Sequence, residues 1–270
     1  MTRENFTSVN VIIDKSGSMA GLTTDTIGGF NTFVADQKNV PGDVAFTLCL
    51  FSTTYQLVHD AVELASVPNL NDKTYRTGGG TALLDALGTT IDNVGNKLAA
   101  MSEEERPSKV IFLIITDGEE NSSRKYNLDQ IRSMVTHQRE TYSWEFVFMG
   151  ANIDAISAGT SLGIAATNSV NYSASSIGTK ALYSNVSRSL GSYRVASSQQ
   201  VDFFNQPAAD LVDLTAPAGT NSPVDSTVST NPVTPTVVHT PFLSTTQGLF
   251  GVDSITQSGA GGGTGNKGTL

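Results

Sequence analysis

The sequence predicts an α/β protein with a doubly wound, mostly parallel central sheet, one antiparallel edge strand and helices on both faces. Apolar runs alternate with helical patterns through residues 8–194, as in sheets built from strands and crossover helices. Residues 110–115 are apolar at every position, which is typical of a parallel strand buried on both faces. Two β-rich runs are separated only by Thr53 and Thr54, and so short a link predicts an antiparallel hairpin.

The elements follow in order along this part of the chain. An apolar run at 9–13 stops at Asp14 and predicts the first strand, and a helical pattern follows over 24–37. The hairpin strands are predicted over 43–52 and 55–64, before a Gly-rich turn at 77–80. In the next helix, over 81–101, apolar residues recur at spacings of three and four, which places them on one face. They are Leu83, Leu84, Leu87, Ile91, Val94 and Leu98.

The rest of the α/β pattern follows the strand at 110–115. We predict, in order, a helix over 128–142, a strand over 144–149, a short helix near 154–162, a strand near 169–172 and a helix near 180–192. These elements complete a domain over 1–194.

A different composition begins at residue 195. Residues 195–270 contain a single basic residue, Lys267, and are rich in Ser, Thr, Pro and Gly, so they cannot offset their ordering entropy alone. They do carry spaced apolar clusters, such as Phe203-Phe204 and Leu249-Phe250. We therefore predict an extended C-terminal arm that is ordered by contact with other subunits of an assembly.

Charge and composition exclude several kinds of partner. With 16 basic and 25 acidic side chains the net charge is −9, so nucleic acid is not expected as a partner. No run approaches the ~20 apolar residues that span a bilayer, and the first residues do not resemble a secretion signal. Cys49 is the only cysteine, which permits a reducing compartment. We expect a cytoplasmic or virion protein with no membrane partner.

Small oxygen-bearing side chains stand where three predicted elements meet the same edge of the sheet. Asp14, Ser16 and Ser18 follow the first strand, Thr81 follows the Gly-rich turn, and Asp117 follows the strand at 110–115. Ligands of open parallel sheets bind beyond the carboxyl ends of the strands. Asp and hydroxyl oxygens without His or Cys suit a hard cation such as Mg²⁺ or Mn²⁺. Gly17 is expected to supply the turn that lets both serines face one point.

These three segments resemble the metal-ion-dependent adhesion site of von Willebrand factor type A domains. The matching motifs are Asp14-Lys15-Ser16-Gly17-Ser18, then Thr77 to Thr81, then Ile115-Thr116-Asp117-Gly118, in the family's order. The resemblance covers about 8–194 and is closest in style to intracellular bacterial and phage members. It implies Mg²⁺, or Mn²⁺ or Ca²⁺, held directly by the hydroxyls of Ser16, Ser18 and Thr81. Asp14 and Asp117 would act mainly through water, and one position would stay open for a partner carboxylate.

Each motif also has a purely structural interpretation. Asp14 to Ser18 can be an Asx-type turn, Thr81 a helix cap, and Asp117-Gly118 an ordinary turn. Glu119 and Glu120 are interpreted as exposed loop carboxylates near the cation, and Cys49 as a buried small hydrophobe. A haloacid-dehalogenase-type phosphatase would need a carboxylate where Ser16 stands, and an EF-hand would need Gly where Met19 stands.

The predicted function is a non-catalytic protein-binding module. The cation would engage a carboxylate of a protein partner, while the arm would dock into a larger assembly, with a phage virion as the specific hypothesis. Two alternatives stay open. One is a metal-dependent phosphatase or hydrolase on the same sheet, and the other is a bacterial stress-response adaptor that works with an ATPase partner.

Overall fold

The computed structural model describes residues 2–196 and 203–204. Most of the predicted arm, 197–202 and 205–270, lies outside the described residues, and so does its predicted docking to other subunits. No helix in the described ranges is long and apolar enough to cross a bilayer.

Among the described residues, one six-stranded sheet forms the centre of the fold, in the order β3-β2-β1-β4-β5-β6. All neighbouring pairs are parallel except β2 with β3, which is antiparallel. The structure therefore confirms the predicted sheet, including its antiparallel edge. The strands are β1 (Arg3–Asp14), β2 (Asp43–Phe51), β3 (Tyr55–Glu63), β4 (Pro107–Thr116), β5 (Glu145–Gly150) and β6 (Ser169–Asn171).

Within the described part of the chain, five α-helices cover the two faces of the sheet. Helices α1 and α5 pack their apolar residues on one face, and α2, α3 and α4 pack theirs on the other, as doubly wound sheets require. The helices are α1 (Thr23–Lys38), α2 (Leu83–Ala100), α3 (Leu128–Tyr142), α4 (Ala155–Ser161) and α5 (Ser176–Val195). Short 3-10 turns lie at Gly17–Leu22, Leu64–Ser66, Glu103–Glu105 and Ala166–Asn168.

Strand β1 is longer than the apolar run that predicted it. It begins at Arg3 because it is the central strand, with parallel partners on both sides for its backbone groups. Polar Thr7, Ser8 and Asn10 are buried in it, and the Asn10 amide donates to the Ile111 carbonyl at 3.2 Å.

The β2–β3 hairpin is irregular. Its register shifts twice, on either side of Leu48. On β3, Ala61 has a positive φ of 55°, and its N–H donates to Thr47 Oγ1 at 3.1 Å. This bond satisfies a backbone N–H that has no carbonyl partner where the pairing of the two strands is interrupted.

The chain stays attached to the core beyond the last helix. Lys109, at the start of β4, donates its ammonium to the carbonyls of Tyr193, Arg194 and Ala196 at 2.6, 3.0 and 2.6 Å. A cation there complements the helix dipole and satisfies final carbonyls of α5. Phe203 is buried in the same core cluster as the apolar residues of α1 and α5, and its N–H donates to Asn168 Oδ1 at 3.2 Å.

Candidate metal centre

The carboxyl ends of two neighbouring parallel strands carry the candidate site. β1 ends at Asp14 and β4 at Thr116, and the two strands are hydrogen-bonded partners up to Ile13 and Ile115. Asp117 follows β4 directly. The sheet topology therefore brings the two aspartates to one edge although 103 positions separate them in the sequence.

Asp14 is fully buried and held by two donors. The Ser16 N–H donates to Asp14 Oδ1 at 2.6 Å, and Thr116 Oγ1 donates to Oδ2 at 2.7 Å. Burial raises the pKa of Asp14, an effect that these hydrogen bonds oppose and the nearby charge of Asp117 reinforces. The predicted Asx-type turn is therefore present, but it leaves a buried carboxylate that two neutral donors satisfy only in part.

The two serine hydroxyls face one point beside Asp117. Ser16 Oγ and Ser18 Oγ lie 3.0 Å apart, and Ser18 Oγ donates to Asp117 Oδ1 at 2.6 Å. Asp117 is only 3% exposed, and burial raises its pKa while the Ser18 hydrogen bond lowers it. Ser18 itself is exposed, so the cluster opens to solvent on its side.

Thr81 joins this cluster by way of Gly118. A Cβ placed on Gly118 would lie 3.5 Å from both Ser18 Oγ and Thr81 Oγ1, which puts the two hydroxyls near one point beside this glycine. Thr81 is not the cap of α2, since that helix begins at Leu83 with Ala82 at its N-cap. The structure thus brings Asp14, Ser16, Ser18, Thr81 and Asp117 to one edge of the sheet.

The Gly-rich turn is fastened to the loop that follows β1. Gly17 N–H donates to the Gly79 carbonyl at 3.0 Å, and Gly78 N–H donates to the Lys15 carbonyl at 2.8 Å. The prediction that the turn needs a glycine at position 17 is wrong. Gly17 has no positive φ, and a Cβ there would make only an ordinary contact, 3.5 Å from the Gly79 oxygen. Gly79 is the position that requires glycine, because its φ is +83° and a Cβ added there would lie only 2.8 Å from Thr53 Oγ1.

The interpretation of Glu120 as an exposed loop carboxylate is also wrong. Its oxygens accept from the N–H of Leu84, Ser122 and Ser123 at 2.7–2.9 Å. The N-terminus of α2 leaves its first N–H groups without intrahelical partners, and Glu120 satisfies one of them from a neighbouring loop. Glu119 is exposed as expected.

The motifs do not predict the roles of two residues that support the site. The Thr116 hydroxyl donates to Asp14 Oδ2, and the Tyr75 hydroxyl donates to the Asp14 carbonyl at 2.6 Å. The position of Thr116 at the end of β4, opposite Asp14, could have suggested its contact. Tyr75 lies in an irregular segment, and no sequence signal points to its partner.

The donor set fits a hard divalent cation. It consists of carboxylate and hydroxyl oxygens, the ligands of Mg²⁺, Mn²⁺ and Ca²⁺. Within residues 2–196 and 203–204, no ion pair reaches Asp14 or Asp117, so their charge has no protein counterion there. The same ranges hold no cluster of three or more His, Cys, Asp or Glu side chains suited to a metal, and the hydroxyls must therefore complete any such site.

Comparison with solved structures identifies the fold. The von Willebrand factor domain of the type V pili tip protein Mfa5 from Porphyromonas gingivalis superposes with a TM-score of 0.51 at 10% identity, over 71% of this chain and 97% of that one. The chain has the von Willebrand factor type A fold, as the motifs predicted. No family model and no curated protein sequence matches it.

Two further matches involve longer proteins. A von Willebrand factor type A protein from Catenulispora acidiphila has 15% identity and a TM-score of 0.46, over 71% of this chain and 43% of that one. Proximal thread matrix protein 1 from the mussel byssus has 15% identity and a TM-score of 0.48, over 69% of this chain and 46% of that one. The chain therefore spans less than half the length of these two proteins.

Proposed function

We propose that this protein is a non-catalytic binding module that uses a Mg²⁺-type cation to engage a carboxylate of a protein partner. Ser16, Ser18 and Thr81 would hold the cation directly, and Asp14 and Asp117 mainly through water. The observation that carries the proposal is a pair of buried aspartates, with no ion-pair partner among the described residues, beside three hydroxyls at one strand edge.

Electrostatics support a cation at this edge. Two buried carboxylates near each other are costly to keep ionised, and a divalent ion compensates both at once. Mg²⁺ demands octahedral geometry and retains several waters, so three neutral hydroxyls leave positions for water and for an incoming carboxylate. Mn²⁺ and Ca²⁺ accept the same oxygen ligands. The bound cation would supply the positive charge that attracts the partner's carboxylate.

The other reactive side chains support binding over catalysis. His59 lies within β3 and His137 is exposed on α3, so neither residue is part of the cluster. Cys49 is fully buried, and burial raises the pKa of its thiol to about 12, which agrees with the predicted small hydrophobe. The metal-dependent hydrolase stays the alternative. It would be favoured by turnover of a simple phosphoester that is lost on Asp14→Asn.

A second part of the proposal concerns the arm. Docking of residues 195–270 into a larger assembly, with a phage virion as the specific hypothesis, is supported by the spaced apolar clusters of that segment. It is tested by whether the full chain, and not a chain ending at residue 204, joins high-molecular-weight particles during expression.

Titration calorimetry tests the metal centre. The full chain, stripped with chelator, should bind one equivalent of Mn²⁺ and compete for it with Mg²⁺, and Asp14→Asn should abolish the heat of binding. Asp129→Asn is the matched control, since it removes the same charge from a side chain that is 92% exposed. Equal binding by wild type and Asp14→Asn would overturn the proposal.

A further inference from the structure

A separate pocket of about 340 Å³ opens next to the metal centre. It lies between the start of α2, the loop after β4, the start of α3 and α4. We call it the apolar pocket, because hydrophobic side chains make up most of its wall. The residues that define it are Leu83, Leu84, Leu128, Phe148, Ala158 and Leu162.

The apolar pocket adjoins the metal centre at one short loop. Gly118 and Glu119 line the pocket, and they directly follow Asp117. Gly118 also lies close to the cluster, because a Cβ added there would be 3.5 Å from both Ser18 Oγ and Thr81 Oγ1. A ligand bound at the hydroxyls therefore has the pocket beside it, with no side chain on Gly118 to separate the two.

The rim of the pocket is acidic. Glu119 and Asp154 are exposed there, and no Lys, Arg or His is among the described residues that line the pocket. The third carboxylate, Glu120, is fixed by its hydrogen bonds to the start of α2 and the following loop. This charge disfavours a second acidic group on a ligand and favours a basic one.

We propose that the apolar pocket receives a large apolar side chain of the same partner segment whose carboxylate reaches the metal centre. The occupant is a short extended or looped segment with one acidic residue, an apolar residue within three positions of it, and a basic residue nearby. This inference rests on the proposed function, and it adds the sequence preference of the partner.

The pocket is large enough for one large apolar side chain. At about 340 Å³ it is near the lower end of the ~300–1,000 Å³ usual for ligand pockets, and it has room for a side chain such as Leu, Ile, Phe or Met. Burial of one such side chain is worth roughly a tenfold or greater gain in affinity. The carboxylate alone would give weak and unselective binding, and the pocket would supply the selectivity.

Peptide selection tests this inference on the full chain. A pool of capped heptapeptides with a central Asp and random flanks is passed over immobilised protein in Mg²⁺, eluted with chelator and sequenced. We expect enrichment of large apolar residues at one position within three of the Asp, with Lys or Arg nearby. A matching pool with Asn at the centre should not be retained.

A pair of variants tests the pocket without touching the metal centre. Ala158→Leu fills it, and Thr160→Leu is the control, because it adds the same side chain at an exposed position of α4 outside the pocket. Ala158→Leu should bind the best selected peptide about tenfold more weakly, with Mn²⁺ affinity unchanged. If Ala158→Leu fails to fold, the same test uses Leu128→Gln, because Leu128 is 37% exposed.

The outcomes separate this inference from the proposed function. Loss of Mn²⁺ binding altogether would overturn both. Two outcomes would overturn only the inference about the apolar pocket. One is Mn²⁺ binding with retention of Asp peptides that show no apolar preference, and the other is equal peptide binding by Ala158→Leu and wild type. If the protein binds Mn²⁺ but retains no peptide, both the proposal of a carboxylate partner and the inference about the apolar pocket would be overturned.

Discussion

Gly29 of α1 lies directly against the aromatic ring of Tyr183 of α5. A Cβ on Gly29 would overlap the ring, with Tyr183 Cγ only 2.8 Å away. Tyr183 is 3% exposed and Gly29 is buried, so neither has room to withdraw. This contact sets how closely the two helices on that face of the sheet can approach.

Gly29→Ala should therefore destabilise the protein although alanine favours helices. Overpacking of a filled core costs about 1–3 kcal/mol, which exceeds the helix gain of ~1 kcal/mol. Gly28→Ala is the matched control, because a Cβ there meets nothing within 4 Å. It should stabilise the protein by about 0.5–1 kcal/mol. Urea unfolding of both variants measures the difference, and equal shifts would contradict the close packing.

Phe203 should contribute to stability although it lies outside the predicted 1–194 domain. Phe203→Ala in the full chain should lower the free energy of unfolding by about 3–5 kcal/mol, because Phe203 is 1% exposed within the core. Phe204→Ala removes the same ring from a partly buried position and should cost clearly less. Thermal unfolding of the two variants measures the difference in stability. A Phe203→Ala protein as stable as wild type would show that the core ends with α5.

Thr116 should position Asp14 without binding the cation itself. Thr116→Val removes the donor to Asp14 Oδ2 and keeps the shape of the side chain. Loss of such an outer hydrogen bond typically weakens metal affinity about 10–100-fold. Thr90→Val is the control, since Thr90 is as deeply buried but donates to the Ala86 carbonyl on α2. Equal Mn²⁺ affinity of the two variants would mean that Thr116 is structural only.

Cys49 should report on global unfolding. Because burial raises its pKa to about 12, the folded protein should react with a thiol reagent at pH 8 roughly a thousandfold more slowly than the denatured chain. Raising the pH from 8 to 9 should speed the folded protein about tenfold but the denatured chain only about threefold, because a free thiol with a pKa of ~8.5 is already partly ionised at pH 8. Fast labelling of the folded protein, followed by absorbance, would contradict a buried thiol.

Mg²⁺ should raise the melting temperature of the wild type. A ligand that binds only the folded state stabilises it in proportion to the logarithm of its concentration over Kd. Each tenfold increase in Mg²⁺ above Kd should therefore add about 1.4 kcal/mol. Asp14→Asn should show no such dependence, and Asp129→Asn should behave as the wild type. A shift of similar size in Asp14→Asn would indicate a general salt effect.

Regular elements of this fold follow directly from sequence periodicity. The structure agrees with three such predictions: the buried strand from the fully apolar run within β4, the hairpin from the short link at Thr53 and Thr54, and the helix from the three-and-four spacing in α2. The start of β1 was missed because Thr7, Ser8 and Asn10 are polar. Their burial depends on partners that lie elsewhere in the chain, which no local pattern contains.

The candidate site also has a part that the sequence predicts and a part that it does not. Short motifs predicted the gathering of Asp14, Ser16, Ser18, Thr81 and Asp117 at one edge, because parallel strands end together. The role of Glu120 could not be predicted locally, since the N–H groups that it satisfies belong to α2, more than thirty positions earlier. Tyr75 holds Asp14 from an irregular segment, where sequence periodicity gives no information.

The broken register of the β2–β3 hairpin bears on how this protein behaves at high concentration. An edge strand normally offers a row of free backbone groups to which a strand of another molecule can add. On β3 the two register shifts and the positive φ of Ala61 interrupt that row. The ion pair of Asp60 with Lys97 also places charge along it. The sheet is thereby protected at this edge against intermolecular strand pairing, and so against one route to aggregation.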